Sequence, residues 1–415
     1  MGIETRVYLR CPKCGETYPL DYYRWLCPKC GIPLEVVVEP SSKPTWDKWK
    51  LREKGVWRYR ELLPPIKKPV SLSEGGTPLI RADRISRNLW IKFEGTNPTG
   101  SFKDRGMTVG VSIAAEAGAR LVGAASTGNT SASLSAYASR AGMKSIVVLP
   151  KGKVALGKLF QAVLHGARII EINGSFDDAL AALMEAARRG IVYPLNSYNP
   201  WRLEGQKTIA YEIAETIGVP DYVFVPVGNA GNISAIWKGF KELETHGLID
   251  RLPRMVGVQA VGASPLATAW KEGREEPVWF EKPETVATAI RIGRPVNWYK
   301  ALRAVEESGG YLLSVGDRKI LGAQMEIARK VGVGVEPASA ASYAGYKISI
   351  DEGLLDIKDK VVLVATGHAL KDPGIVELVG KKSLVAGNVD EAVKLMSELS
   401  RGETGGGESK GQGIF

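Results

Sequence analysis

Beyond residue 30 the sequence contains no cysteine. A structural disulfide in the larger part of the chain is therefore excluded, which fits a reducing compartment. No apolar run approaches the roughly 18 residues that a membrane-spanning helix needs. The first residues carry Glu4, Arg6 and two early cysteines in place of a secretory signal, so the expected location is the cytoplasm. Glutamine is scarce, and with cysteine confined to one motif this points to a thermophile. Neither a G-x-x-x-x-G-K-[ST] loop nor a G-x-G-x-x-G turn is present, which argues against a nucleoside-triphosphate or dinucleotide fold. No dense basic cluster occurs either. The net charge of +10 is dispersed, which favours anionic small molecules over nucleic acid as partners.

What the 415 residues do contain is a soluble globular balance, 44% hydrophobic and 24% charged. That length exceeds one ordinary core and implies two or three domains. Residues 1–38 form a separate unit in which Cys11–Cys14 and Cys27–Cys30 each sit in CPKCG. The spacing C-x2-C-x12-C-x2-C is that of a zinc ribbon, with four thiolates closing a structural site. Disulfide and metal-free states remain alternatives. The glycine after each pair lets backbone N–H groups turn toward the thiolates, and a Tyr18–Trp25 hairpin is expected between the knuckles. Residues 39–70, rich in Pro, Lys and Trp, read as a linker laid over a surface.

From about residue 89, short apolar runs alternate with helical patterns. LWIKFEG, RLVGAAS, KSIVVLP, ARIIEIN, IVYPLNS, DYVFVPVG, RMVGVQAVG and KVVLVATG read as buried strands. Between them lie helix patterns that include SFKDRGMTVGVSIAAEAG, with Ser101 as its cap, and RLEGQKTIAYEIAETIG as one long helix. Continuous apolar strands separated by helices predict mostly parallel sheets covered on both faces. Ligands then belong at the carboxyl ends of the strands, where STGNT (126–130), GNAGN (228–232) and TGH (366–368) follow strands directly. The tail after Arg401 is Gly-rich and is expected to be disordered over 402–415.

GNAGN offers consecutive backbone N–H groups at a helix start, which suits a phosphate; an ordinary tight turn is the alternative. Lys103, in NPTGSFKDRG (97–106), falls in the first turn of a helix. There the helix dipole and partial burial disfavour its ammonium and supply the neutral amine that attacks a carbonyl. The alternative is a surface lysine paired with Asp104. Arg202 follows NSYNP at the start of a helix and is either a bidentate phosphate ligand or an exposed capping residue.

NPTGSFKDRG, STGNT, NPWRLEGQKT, PVGNAGN and TGHALKDP occur together and in order. As a set, over residues 70–380, they resemble the pyridoxal-phosphate (PLP) enzymes of fold type II, the class of the tryptophan-synthase β-subunit. Within that class they are most similar to the threonine synthases, several of which carry a zinc ribbon. The resemblance implies an α/β fold of two mostly parallel three-layer domains with PLP between them. The large domain spans 71–97 and 200–385, and the small, mobile one 98–199. It implies that Lys103 carries the cofactor, with Phe102 beside it, and that Asn129 bonds the phenolate oxygen. Gly228, Asn229, Ala230, Gly231 and Asn232 cup the cofactor phosphate, Thr366 faces the pyridine nitrogen, and Glu336 helps line the pocket. On the substrate side, Ser126, Thr127, Thr130, Ser197, Arg202 and Asn229 match contacts to the carboxylate and phosphate of O-phospho-L-homoserine. A homodimer is usual in the class. Cysteate synthase, O-phosphoserine sulfhydrylase and threonine dehydratase on the same fold stay open, as does a degenerate PLP-binding module whose ribbon recruits a partner.

Overall fold

The structure, a computed structural model, describes residues 4–21, 24–126, 128–152, 156–374 and 384–401. The chain divides into the units Met1–Lys371 and Asp372–Phe415. No helix among the described residues is long and apolar enough to cross a membrane.

The chain opens with β1 (Arg6–Arg10), β2 (Thr17–Tyr18) and β3 (Glu35–Glu39), an antiparallel sheet with β1 in the middle. Gly15 and Gly31 take φ of 75° and 66°, the left-handed turn that closes each CPKCG knuckle. Tyr18 pairs with Leu9 of β1; the middle of the expected Tyr18–Trp25 hairpin, residues 22 and 23, lies outside the described residues. Trp25 buries its indole against Tyr193, with ring centroids 5.6 Å apart.

Next come α1 (Trp46–Lys50), capped by the Thr45 hydroxyl, and a 3-10 segment at Val56–Leu62. The Pro-, Lys- and Trp-rich stretch contributes to the core: Trp49, Tyr59 and Tyr211 form a buried ring cluster. Then follow β4 (Leu79–Arg81), β5 (Leu89–Phe93), α2 (Lys103–Glu116), β6 (Leu121–Ala124), α3 (Asn129–Arg140), β7 (Lys144–Pro150), α4 (Leu156–Leu164), β8 (Arg168–Ile172), α5 (Phe176–Arg188) and β9 (Tyr193–Pro194). After them run α6 (Trp201–Gln206), α7 (Thr208–Ile217), β10 (Tyr222–Pro226), α8 (Gly231–Thr245), β11 (Arg254–Ala260), α9 (Pro265–Lys271), α10 (Trp298–Glu307), β12 (Tyr311–Val315), α11 (Asp317–Val331), α12 (Pro337–Asp351) and β13 (Val361–Ala365). The second unit holds α13 (Val389–Ser400), capped by the Asn388 side chain. The Gly-rich tail, 402–415, lies outside the described residues.

Two sheets carry this alternation. One has the order β8-β7-β6-β9 and is parallel throughout. The other, β12-β11-β10-β13-β5-β4, is parallel except for its edge strand β4. The parallel, doubly covered sheets expected from the apolar runs are thus present. In β10 every residue is buried. Val223 and Val225 enter a core with Ile209, Ile233 and Trp237 of α7 and α8. Tyr222 and Phe224 enter the opposite core with Ile320 and Tyr343 of α11 and α12. Successive side chains on a strand point to opposite faces, so a central strand buried on both has no polar alternation to show.

Three local expectations differ from the structure. Ser101 does not cap α2, which starts at Lys103 with Phe102 before it and no side-chain cap. The approach is set from elsewhere: Phe102 N donates to Thr366 O at 2.9 Å, and Ser101 bridges to Gly367. The long helix from 202 divides at Lys207 into α6 and α7, where the Thr208 hydroxyl donates to Gly205 O at 2.6 Å. IVYPLNS is strand only at Tyr193–Pro194.

Candidate active site and a four-cysteine centre

Helices α2 and α6 cross backbone to backbone. A Cβ at Gly205 would lie 1.6 Å from the Arg105 carbonyl oxygen, and one at Gly106 2.9 Å from that of Arg202. Only glycine permits such an approach. The crossing brings the start of α2, with Lys103, against the start of α6, with Arg202. Behind it the Arg105 guanidinium is fully buried between Glu94 (2.6 Å) and Glu212 (2.7 Å), and Lys92 meets Glu212 at 2.6 Å. This network ties α2 to β5 and α7.

Phe102, Lys103, Asn129, Ser197, Arg202, Gly228–Asn232, Glu336 and Thr366 line one cleft that is partly open to solvent. Burial, with Arg202 nearby, lowers Lys103 to about 7, against a smaller opposing pull from Glu336. Its Nζ lies 4.1 Å from the Phe102 ring centroid. Asp104 does not pair with it: that carboxylate accepts from Thr99 N (2.7 Å), Thr99 Oγ1 (2.6 Å) and Ser133 Oγ. Lys103 can thus present a neutral amine near neutral pH.

The 228–232 turn runs from β10 into the N-terminus of α8. Ala230 takes a left-handed φ of 64°, and the turn lines the cleft at the positive end of the α8 dipole, an arrangement that suits an anion. Asn129, the first residue of α3, donates Nδ2 to both Glu336 oxygens, at 3.1 and 3.0 Å. Thr366 Oγ1 lies 3.0 Å from Ser339 Oγ, and Gly367 N donates to that same hydroxyl at 2.8 Å.

Arg202 is not an exposed cap. It is 3% exposed, its Nε has no partner, and no carboxylate pairs with its guanidinium among the described residues. Burial alone lowers it to about 10. Both polar atoms of the Asn232 side chain and Gln206 Oε1 are also buried without partners. Unsatisfied buried groups of this kind are costly unless a ligand completes them. A guanidinium and a readily neutral amine facing one cleft, with spare hydrogen-bonding groups beside a helix N-terminus, fit an anionic, phosphorylated ligand and an amine-reactive carbonyl. PLP has both features.

Ser126 and Thr130 are half-buried and do not line this cleft; Ser126 Oγ accepts weakly from Gly128 N at 3.4 Å. Thr127 lies outside the described residues. Sequence reasoning missed Gln206, Asn297 and Ser339. Gln206 stood inside the quoted NPWRLEGQKT motif, so its neighbourhood was marked, whereas Asn297 and Ser339 carry no local signal.

The Sγ atoms of Cys11, Cys14, Cys27 and Cys30 all lie within 4.8 Å of one another, and none forms a disulfide. Tyr18 OH is 3.2 Å from Cys27 Sγ. Four such thiols can hold one metal ion.

A buried lysine and a helix-N-terminal turn that line the same cleft mark a cofactor enzyme, and the family described as "Pyridoxal-phosphate dependent enzyme" matches residues 70–367. The threonine synthase of Methanocaldococcus jannaschii is 54% identical, over 88% of this chain and 93% of its own. That of Methanosarcina acetivorans is 50% identical, over 92% and 97%. Among solved structures, a processed threonine deaminase from Solanum lycopersicum superposes with a TM-score of 0.62 at 23% identity, covering 74% of this chain and 88% of its own; this supports the fold alone. The chain belongs to the pyridoxal-phosphate dependent enzymes and, within them, to the threonine synthase family.

Proposed function

We infer that the chain is a threonine synthase, converting O-phospho-L-homoserine and water to L-threonine and phosphate. Bound PLP supplies an electron sink that acidifies protons next to the amino-bearing carbon. The chain's residues do the rest. Lys103 carries the cofactor and moves protons at the reacting carbons, a role supported by its burial and its lowered value of about 7. The 228–232 cup takes the cofactor phosphate, Asn129 meets the ring oxygen and Thr366 the ring nitrogen. A neutral hydroxyl leaves that nitrogen less protonated than a carboxylate would. Arg202, with Ser197 and Asn229, holds the substrate phosphate; the family resemblance assigns Ser126, Thr127 and Thr130 to the substrate's carboxylate and phosphate, although Ser126 and Thr130 stand outside the cleft lining. The small sheet and its helices (98–199) close over the large one, excluding water until it is needed.

A structural zinc in the ribbon completes this reading. A tetrahedron of thiolates about 2.3 Å from zinc sets sulfurs about 3.8 Å apart, and the Cys14 and Cys27 sulfurs are 3.7 Å apart. The confinement of cysteine to that centre supports a cytoplasmic setting, and the class supports a homodimer.

The buried, unpaired Arg202 is the observation that carries the substrate assignment. Replacing it by Met removes a charge-assisted contact worth roughly 1.5–3 kcal/mol. The kcat/KM for O-phosphohomoserine then falls about tenfold to a hundredfold or more. The same change removes an uncompensated buried charge, so the unliganded protein becomes more thermostable. Unchanged kinetics would refute the phosphate role.

A further inference from the structure

Helix α10 touches both the cleft and the ribbon. Its cap residue, Asn297, is buried between two loops of the cleft. Asn297 N donates to Asn229 O at 3.1 Å. Its Nδ2 donates to Ser197 O at 3.1 Å and reaches Asn229 O at 3.5 Å. A Cβ on Gly231 would come within 3.4 Å of that nitrogen. Asn297 therefore fixes the spacing between the 228–232 cup and the loop that leads into α6 and Arg202.

Farther along α10, cations grip the ribbon by its backbone. Lys300 Nζ, buried, donates to Leu34 O at 2.8 Å. Arg303 Nη1 donates to Pro12 O at 2.7 Å, and Pro12 lies inside the first cysteine knuckle. Lys13 sits 5.8 Å from the Tyr299 ring centroid. A second connection is parallel to the first. Lys238 of α8 donates to Val36 O of β3 and to Glu204 of α6, two residues beyond Arg202. The cup's own helix, α8, thus meets the ribbon as well. A buried ammonium such as Lys300 depends on its acceptor, and that acceptor is held in place by the folded ribbon. A metal that folds the knuckles consequently fixes the far end of α10.

We propose that α10 couples the four-cysteine ribbon to the phosphate cup. Asn297 is a positioning residue, and the folded, metal-loaded ribbon raises the site's affinity for the cofactor through Lys300 and Arg303. The inference rests on the cup and zinc assignments above, but not on the identity of the substrate. Two sites are coupled when each changes the other's binding free energy, and non-additive variants reveal it.

The test is PLP titrated into cofactor-stripped full-length protein, followed by its absorption, with zinc measured by elemental analysis. Asn297→Ala should raise the Kd for PLP about tenfold. Removal of zinc from the wild type should raise it about fivefold, and from the Asn297→Ala variant less than twofold. Lys300→Met should weaken PLP about fivefold while retaining zinc, which separates the link from ribbon unfolding. If the zinc and Asn297 effects multiply, or if zinc-loaded Lys300→Met binds PLP like the wild type, the proposal is overturned. Non-additivity in a protein inactive on O-phosphohomoserine would uphold the link and sink only the substrate assignment.

Discussion

Gly205→Ala is the sharpest packing test of the cleft. The added methyl would start 1.6 Å from the Arg105 carbonyl oxygen and 2.5 Å from its carbonyl carbon. Both neighbours are backbone, so no side chain can swing aside. Relief requires α2 and α6 to separate by well over an ångström. Overpacking usually costs about 1–3 kcal/mol, and a backbone clash belongs at or above the top of that range. Alanine's better helix propensity returns roughly 1 kcal/mol, leaving a net loss of about 2 kcal/mol or more. Gly322 is the control. It lies within α11, and a Cβ there meets nothing within 4 Å. Gly322→Ala should therefore stabilise by roughly 0.5–1 kcal/mol. Urea unfolding of the cofactor-free proteins would give both values. PLP affinity should also fall in Gly205→Ala, because Lys103 and Arg202 are held by the two displaced helices. A Gly205→Ala protein as stable as the wild type would refute the close crossing from which the site is built.

Further expectations concern charge and metal. Lys103 has a folded value of about 7, below the 10.5 of an ordinary lysine. Between those values the unfolded chain binds the extra proton, so this group makes the cofactor-free protein more stable as pH rises through that window. Lys103→Met should flatten the rise of Tm between pH 7 and 10, and an unchanged slope would count against the burial. In the wild type, PLP uptake by stripped protein should accelerate as pH passes about 7 and level off above it; a pH-independent rate would contradict a titrating amine. Replacing Cys11 and Cys14 by Ser should remove about one zinc per chain and loosen residues 1–38, read as faster hydrogen exchange there. Unaltered metal content would show that the centre is misassigned.

The parts legible in the sequence were those written locally. Apolar runs gave the central strands because β10 and β13 are buried on both faces. CPKCG, SFKDRG and GNAGN each place their chemistry within a few residues, so Lys103 and the 228–232 turn could be located without a fold. Illegible features depend on what arrives from elsewhere in the chain. Ser101 looks like a cap, but the Thr366 carbonyl fixes that turn. The helix from 202 looks continuous until Gly205 must meet Arg105. Tyr18 pairs back onto β1, which its own neighbours do not reveal. Asn297 reads as an ordinary loop asparagine and becomes informative only where two distant loops meet its amide.

The proposed reaction is itself open to direct measurement. The purified, PLP-loaded protein supplied with O-phospho-L-homoserine should release phosphate and form L-threonine in equal amounts, measured in one reaction by phosphate assay and amino-acid analysis. It should remain inactive with O-phosphoserine plus sulfide or sulfite. Phosphate release without threonine, or preferential turnover of phosphoserine, would contradict it.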